Sequence, residues 1–187
     1  FFFQAEDGIR DKLVTGVQTV CSSDLEDGTP KKKNSCIWVN QFYTKLENSY
    51  ILKYSRKMFD RELIQAMVNS NYIFRYYAHS NHDSTLLSYY QDSDYYEPHY
   101  DSSIITNVLH LFKEPKQFSG GDLFFAEYDN YTIVPENNKM IIFPSVAEHG
   151  VTEIKMNSNI PKYSGYGRYC LSTFVDRIDN RPHQNGN

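Results

Sequence analysis

Two histidines and an aspartate, His99, Asp101 and His149, are the residues of this sequence whose types and spacing could do chemistry together; Arg168 follows them. On an extended strand, residues i and i+2 point to one face, so His99 and Asp101 can reach a single ion while Tyr100 points away. His149 would complete the set from a second strand. Neutral imidazole and hard carboxylate suit iron(II) without any cysteine. A 2-His-1-carboxylate set covers one face of an octahedral ion and leaves three adjacent positions for a co-substrate and dioxygen. A His-x-Asp pair on a strand is more often a surface feature than a ligand set, so the neighbouring residues carry the weight.

Those neighbours form four blocks: Tyr90-Gln91-Asp92-Ser93-Asp94-Tyr95-Tyr96-Glu97-Pro98-His99-Tyr100-Asp101, then Gly120-Gly121-Asp122-Leu123-Phe124-Phe125, then Phe143-Pro144 ahead of Glu148-His149, and finally Gly167-Arg168-Tyr169-Cys170-Leu171-Ser172-Thr173. In content and order they resemble the 2-oxoglutarate and iron(II)-dependent dioxygenases, in the prolyl 4-hydroxylase-like branch, over about half the chain. The resemblance implies that His99, Asp101 and His149 hold iron(II), with no catalytic residue needed beyond these ligands. It also implies that Arg168 pairs with the distal carboxylate of 2-oxoglutarate, which a planar guanidinium can hold through two parallel hydrogen bonds. Tyr90, or Tyr89 after a one-residue shift, matches a tyrosine lining the co-substrate pocket, and His110 stands where relatives place another tyrosine. The implied reaction hydroxylates a C–H bond of a peptidyl side chain, prolyl by the name of the branch, or of a small molecule. It consumes 2-oxoglutarate and dioxygen, releases succinate and carbon dioxide, and has ascorbate as an optional accessory. The chain departs from the pattern in one place: the interval from His149 to Arg168 is long. Met156 to Gly165 is rich in turn formers and reads as a lengthened loop; should it carry Arg168 out of the pocket, Lys155 or Lys162 would be the remaining counter-ions.

The elements that must position these residues read mainly as strands. Leu86 to Tyr90 leads into the first ligand pair, and Met140 to Phe143 precedes Pro144 and the loop before His149. Cys36 to Val39, Tyr50 to Tyr54, Tyr72 to Tyr77, Ile104 to Phe112, Asp122 to Ala126, Tyr131 to Val134 and Leu171 to Val175 also have strand character. Gly120-Gly121 and Asp129-Asn130 read as turns. From Ser55 to Asn69 the period changes: Met58, Phe59, Leu63, Ala66 and Met67 recur at helical spacing behind Ser55 as N-cap, which predicts a helix buttressing a sheet. His79-Ser80-Asn81-His82-Asp83 repeats the ligand types but reads as a polar turn, which lacks the fixed side-chain directions a metal site needs. Many short strands with one helix near the front predict a double-stranded β-helix, or jelly roll, with the triad and Arg168 lining its mouth. Tyr95, Tyr96 and Tyr100 near that mouth suit a peptide groove and ordinary sheet packing equally.

With 187 residues, 40% of them hydrophobic, the chain suits one sizeable domain. The reading assigns residues 36–187 to it, with a catalytic core of about 86–176. A net charge of −4 argues against nucleic acid as a partner. Cys21, Cys36 and Cys170 are too few and wrongly spaced for a disulfide framework or a zinc knuckle, and a cytoplasmic setting fits them. Residues 1–25 resemble a translated sequencing adapter of the kind that contaminates metagenomic gene predictions, so the native N-terminus is expected to be missing. They show no signal-peptide pattern, and three leading phenylalanines are too short to enter a membrane. Residues 26–35, with Lys31-Lys32-Lys33, read as a solvated linker, and Arg181 to Asn187 as a frayed tail.

Two other classes remain open on the residues alone. A zinc hydrolase could use the same three ligands and a metal-bound water without any need of Arg168. A jelly-roll binding module could keep the triad as a relic.

Overall fold

The computed structural model describes residues 30–43 and 45–178. The described chain opens with two short strands, β1 (Lys32–Lys33) and β2 (Ser35–Trp38). A helical stretch follows, made of α1 (Val39–Phe42), α2 (Tyr50–Ser55), α3 (Arg61–Ser70) and α4 (Arg75–Ala78), with 3-10 turns between them. Then come β3 (His82–Tyr90), β4 (Tyr95–His99), β5 (Ile105–Leu111), β6 (Phe118–Ser119), β7 (Leu123–Phe125), β8 (Tyr131–Ile133), β9 (Lys139–Pro144), β10 (His149–Val151), β11 (Lys155–Met156) and β12 (Arg168–Asp176).

The strands make two five-stranded sheets, ordered β2-β3-β12-β5-β9 and β1-β4-β10-β7-β8, with β6 and β11 as a separate pair. Every pairing is antiparallel. The jelly roll expected from the strand pattern is therefore the observed architecture. Its core lies between the sheets, where Tyr90, Val108, Phe118, Leu123, Phe125, Phe143, Val151 and Ile154 pack together. β5 shows how the alternation works. Thr106, Val108 and His110 face this interior, whereas Ile105 packs on the opposite face against Met58, Met67, Tyr77 and Val175. Covered on both sides, β5 is buried from Ile105 to His110. Burying each methionine beneath the sheet contributes roughly 1.5–3 kcal/mol. The layer is also pinned by the Tyr77 hydroxyl, which donates to Asn107 Oδ1 at 2.6 Å, and by the Arg56–Asp83 ion pair at 3.1 Å.

Several local expectations are corrected. Tyr50 to Tyr54 and Tyr72 to Tyr77 are helical and not strands: Ser49 caps α2 by accepting from the Leu52 N–H, and Asn71 caps the turn at Tyr72–Phe74. These local caps and the packing of Tyr77 override the β-propensity of tyrosine and isoleucine. Ser55 does not begin a helix but closes α2, donating to the Leu52 carbonyl at 3.0 Å; α3 starts only after Asp60. The supporting helix expected over Ser55 to Asn69 is thus a 3-10 turn, Arg56–Phe59, followed by α3. His82 and Asp83 belong to β3, and Asp83 is paired with Arg56. Lys32 and Lys33 form a strand instead of a solvated linker, and Lys32 is buried. Residues 1–25, Cys21 and the tail from Arg181 lie outside the described residues. Cys36 and Cys170 are buried. Among the described residues no helix is long and apolar enough to cross a membrane.

Candidate metal and co-substrate site

Antiparallel register places the histidines. β4 and β10 pair with His99 opposite His149, and the register shifts between His149 and Val151. The imidazoles come within 4.3 Å of each other, centroid to centroid. Asp101 is not on the strand as the i+2 argument assumed: β4 ends at His99, and Asp101 lies two residues beyond, where its N–H donates to the Ser145 carbonyl at 3.2 Å. The convergence survives because the carboxylate turns back between the rings, with Oδ1 3.5 Å from His99 Nε2 and Oδ2 3.4 Å from His149 Nε2. Tyr100 points outward, as expected, and is 57% exposed.

Hydrogen bonds behind the rings fix their chemistry. His99 Nδ1 lies 3.0 Å from the Glu97 carbonyl and His149 Nδ1 2.9 Å from the Ala147 carbonyl. A carbonyl can only accept, so each Nδ1 carries the proton and each neutral ring turns an Nε2 lone pair inward. Two lone pairs and a carboxylate, with donor atoms all within 4.8 Å of one another, repel unless a cation sits among them. The donor set therefore fits a divalent ion, and these residues could hold iron(II).

Asp101 is held in its ionised form. Burial pushes its pKa up, but the contacts with His149 and His99 and the hydrogen bond donated by the Thr106 hydroxyl outweigh it and hold the carboxyl below the usual range. Thr106 Oγ donates to Asp101 Oδ2 at 2.6 Å. Its one hydrogen is then spent, so Ser145 must donate to Thr106 at 2.8 Å and Ser103 to Ser145 at 2.7 Å. Sequence reasoning missed this relay. Its signal was the five-residue step from Asp101 to Thr106, which means nothing until the turn between β4 and β5 folds. Sequence reasoning also missed Tyr96, whose ring stacks on His99 at 3.6 Å with the Lys32 ammonium 4.8 Å from its centroid. Burial, with Asp101 and Cys36 nearby, pushes the Tyr96 hydroxyl up to about 12. Tyr96 thus packs inside, and Tyr95 donates to the Pro30 carbonyl, which leaves Tyr100 as the exposed tyrosine of the three.

Arg168 is fully buried despite the long loop. It begins β12 and pairs with Tyr90 on β3. The alternatives Lys155 and Lys162 are exposed. Gly121 makes room for it: at φ +69°, a Cβ there would lie 3.0 Å from Arg168 Cδ and against Ile154. The guanidinium sits 5.1 Å from the Tyr90 ring centroid, and Nη2 donates to His110 Nε2 at 2.8 Å. Burial, then the Arg168 charge, lowers the His110 pKa to about 3, so the ring is neutral and accepts. Among the described residues, Arg168 Nε and Nη1 have no partner. Of the two tyrosines, Tyr90 is buried in the interior, whereas Tyr89 packs on Tyr169 and its hydroxyl accepts from the Gly167 N–H.

The fold is similar to two solved prolyl hydroxylases. A Pseudomonas putida prolyl-4-hydroxylase is matched at 14% identity and TM-score 0.56, over 92% of this chain and 83% of that one. The viral collagen prolyl hydroxylase of Paramecium bursaria Chlorella virus-1, in its 2OG complex, is matched at 14% identity and TM-score 0.50, over 91% and 85%. At such identities the likeness speaks for the fold. Among curated proteins none matches the sequence. The family model of the 2OG-Fe(II) oxygenase superfamily matches residues 85–175, the span that carries the triad, Arg168 and the strands on which they stand. Over residues 85–175 the chain is a match to the 2OG-Fe(II) oxygenase superfamily, and it is an oxidoreductase of that dioxygenase class.

Proposed function

We propose that this protein hydroxylates a C–H bond of a peptidyl substrate, with a prolyl side chain as the first candidate, using iron(II) held by His99, Asp101 and His149. The same turnover converts 2-oxoglutarate and dioxygen to succinate and carbon dioxide. The peptidyl assignment rests on the prolyl hydroxylases that the fold resembles. One observation carries the co-substrate assignment: a fully buried arginine with two nitrogens unpartnered among the described residues packs on Tyr90, in the same inter-sheet core whose Phe143 and Phe125 flank His149. A buried cation without a counter-charge is costly, and a dianionic co-substrate that joins it to the metal relieves the cost. A hydrolase working through a metal-bound water has no use for such a residue.

Bound iron supplies the oxidising chemistry. The chain's residues do the rest. The Glu97 and Ala147 carbonyls hold the two imidazoles in the ligating tautomer, and Thr106 orients the Asp101 carboxylate. Arg168, with Tyr90 beside it, anchors the distal carboxylate, while neutral His110 takes up Nη2 and so directs the free nitrogens elsewhere. Phe143, 4.7 Å from the His149 ring, and Phe125 behind it keep water off one side of the site.

An anaerobic titration of the iron(II)-loaded protein with 2-oxoglutarate tests the reading through the visible metal-to-ligand charge-transfer band. The band is expected, at lower affinity in Arg168→Ala. Folded, iron-loaded protein that shows no band refutes the proposal.

A further inference from the structure

The register that joins Arg168 to Tyr90 extends one strand further. β2 pairs with β3 with Ser35 opposite Tyr89, so the preceding residue, Asn34, falls beside Tyr90 on the side away from Arg168. Asn34, Tyr90 and Arg168 thus form a row across three adjacent strands, and their side chains share the inner face.

Asn34 occupies a corner. The strand before it, β1, pairs with β4 in one sheet; the strand after it, β2, pairs with β3 in the other. The segment Lys32–Trp38 is therefore a strap that crosses between the sheets at Asn34. Its side chain is 4% exposed, yet among the described residues neither the amide nitrogen nor the amide oxygen has a hydrogen-bond partner. It lies beside the Tyr90 hydroxyl, whose pKa burial pushes up and Asn34 eases down a little, at a geometry outside ordinary hydrogen-bond limits. A buried carboxamide with both ends unsatisfied is rare in a folded protein, and here it shares its row with the equally unsatisfied Arg168 Nε and Nη1.

We infer that Asn34 is a 2-oxoglutarate-binding residue, donating its amide N–H to the carboxylate that Arg168 holds, so that the strap before β2 forms one wall of the co-substrate pocket. This rests on the co-substrate reading above. An ionised carboxylate has about four acceptor positions, more than Arg168 fills from one side. Asn34 and the Tyr90 hydroxyl stand on the other. The wall lies outside the span that the family model matches, 85–175, so the conserved-domain boundary would cut through the pocket.

The test is the anaerobic 2-oxoglutarate titration on the full chain carrying Asn34→Ala or Asn34→Asp, with 2-oxobutyrate, which lacks the distal carboxylate, as the second probe. Losing one hydrogen bond to a charged acceptor should weaken 2-oxoglutarate about tenfold in Asn34→Ala. The near-isosteric Asn34→Asp sets a like charge against the carboxylate and should weaken it about a hundredfold or more. Iron(II) affinity and 2-oxobutyrate binding should not change in either. Wild-type affinity for 2-oxoglutarate in Asn34→Asp, while Arg168→Ala still loses it, overturns the role of Asn34 and leaves the co-substrate reading standing. Equal losses for both oxo acids overturn it too, because the strap would then act on the metal site. Failure of the wild-type protein to bind 2-oxoglutarate overturns both.

Discussion

Replacing Arg168 by methionine should move stability and co-substrate binding in opposite directions. Without co-substrate the guanidinium is fully buried, donates to His110 and, among the described residues, lacks partners at Nε and Nη1. Methionine removes an uncompensated buried charge, a gain of a few kcal/mol. Against this stand the His110 Nε2 left without a donor, at about 1–3 kcal/mol, and the contact with the Tyr90 ring, at about 0.5–2 kcal/mol. The two sides nearly cancel, so the unliganded variant should unfold within a few degrees of wild type, or above it. With co-substrate the balance changes. Two charge-assisted hydrogen bonds are worth about 3–5 kcal/mol together, a loss of a hundredfold or more in affinity. At 2-oxoglutarate a hundredfold above its Kd, wild type gains about 2.7 kcal/mol, or roughly 5–10 °C in Tm for a chain of this size. Arg168→Met at the same concentration is at best half-saturated, gains about 0.4 kcal/mol, and should rise by about 1 °C. Thermal unfolding of anaerobic iron(II)-loaded protein, with and without 2-oxoglutarate, reads both numbers. A variant that keeps the full ligand-induced shift would refute the anchoring role. One that loses 10 °C or more before any ligand is added would refute the claim that the charge is uncompensated.

Three further outcomes follow from named contacts. Thr106→Val removes the hydroxyl that donates to Asp101 Oδ2 at 2.6 Å and should weaken iron(II) affinity about 10–100-fold with little change in Tm, as metal titration would show. His110 has its pKa lowered to about 3 in the folded chain, below its value when unfolded, so its contribution to stability is present above about pH 6.5 and is lost as pH falls toward about 3. Between roughly pH 7 and pH 5 the loss should be about 2 kcal/mol; denaturant melts at the two pH values should show it, and His110→Asn should lack it. Gly120 has φ +69° and its Cβ position collides with the Glu153 carbonyl oxygen, so Gly120→Ala should cost roughly 2 kcal/mol or more, seen as a Tm several degrees lower.

Much of the β-architecture was legible because alternation and turn chemistry are local signals. Strands from Ile105 to Leu111, Tyr131 to Ile133 and Lys139 to Pro144 fall within a residue or two of their expected ends, and Gly120, Gly121, Asp129 and Asn130 all carry the positive φ that their turns require. The helical stretch was less legible. Tyr50 to Tyr54 and Tyr72 to Tyr77 are composed like strands, and only the caps at Ser49 and Asn71 and the packing of Tyr77 against β5 make them helical. Lys32 was misread as solvated because nothing in Lys31-Lys32-Lys33 says that the middle lysine lies over Tyr96.

By itself the sequence determined which atoms can bind an ion and an acid: two imidazoles, a carboxylate and a guanidinium, in an order that marks the family. Whether they meet was decided by tertiary structure. His99 and His149 are 50 residues apart and become neighbours only through the β4–β10 register. Asp101 reaches them from beyond its strand, oriented by Thr106 and Ser145 from the opposite sheet. Asn34 gains significance only because antiparallel pairing sets it in a row with Tyr90 and Arg168. The physical reason is the same in each case. Residue type sets what a group can donate or accept, while its partner and its desolvation come from strands far away in the chain, and neither is encoded by the residues next to it.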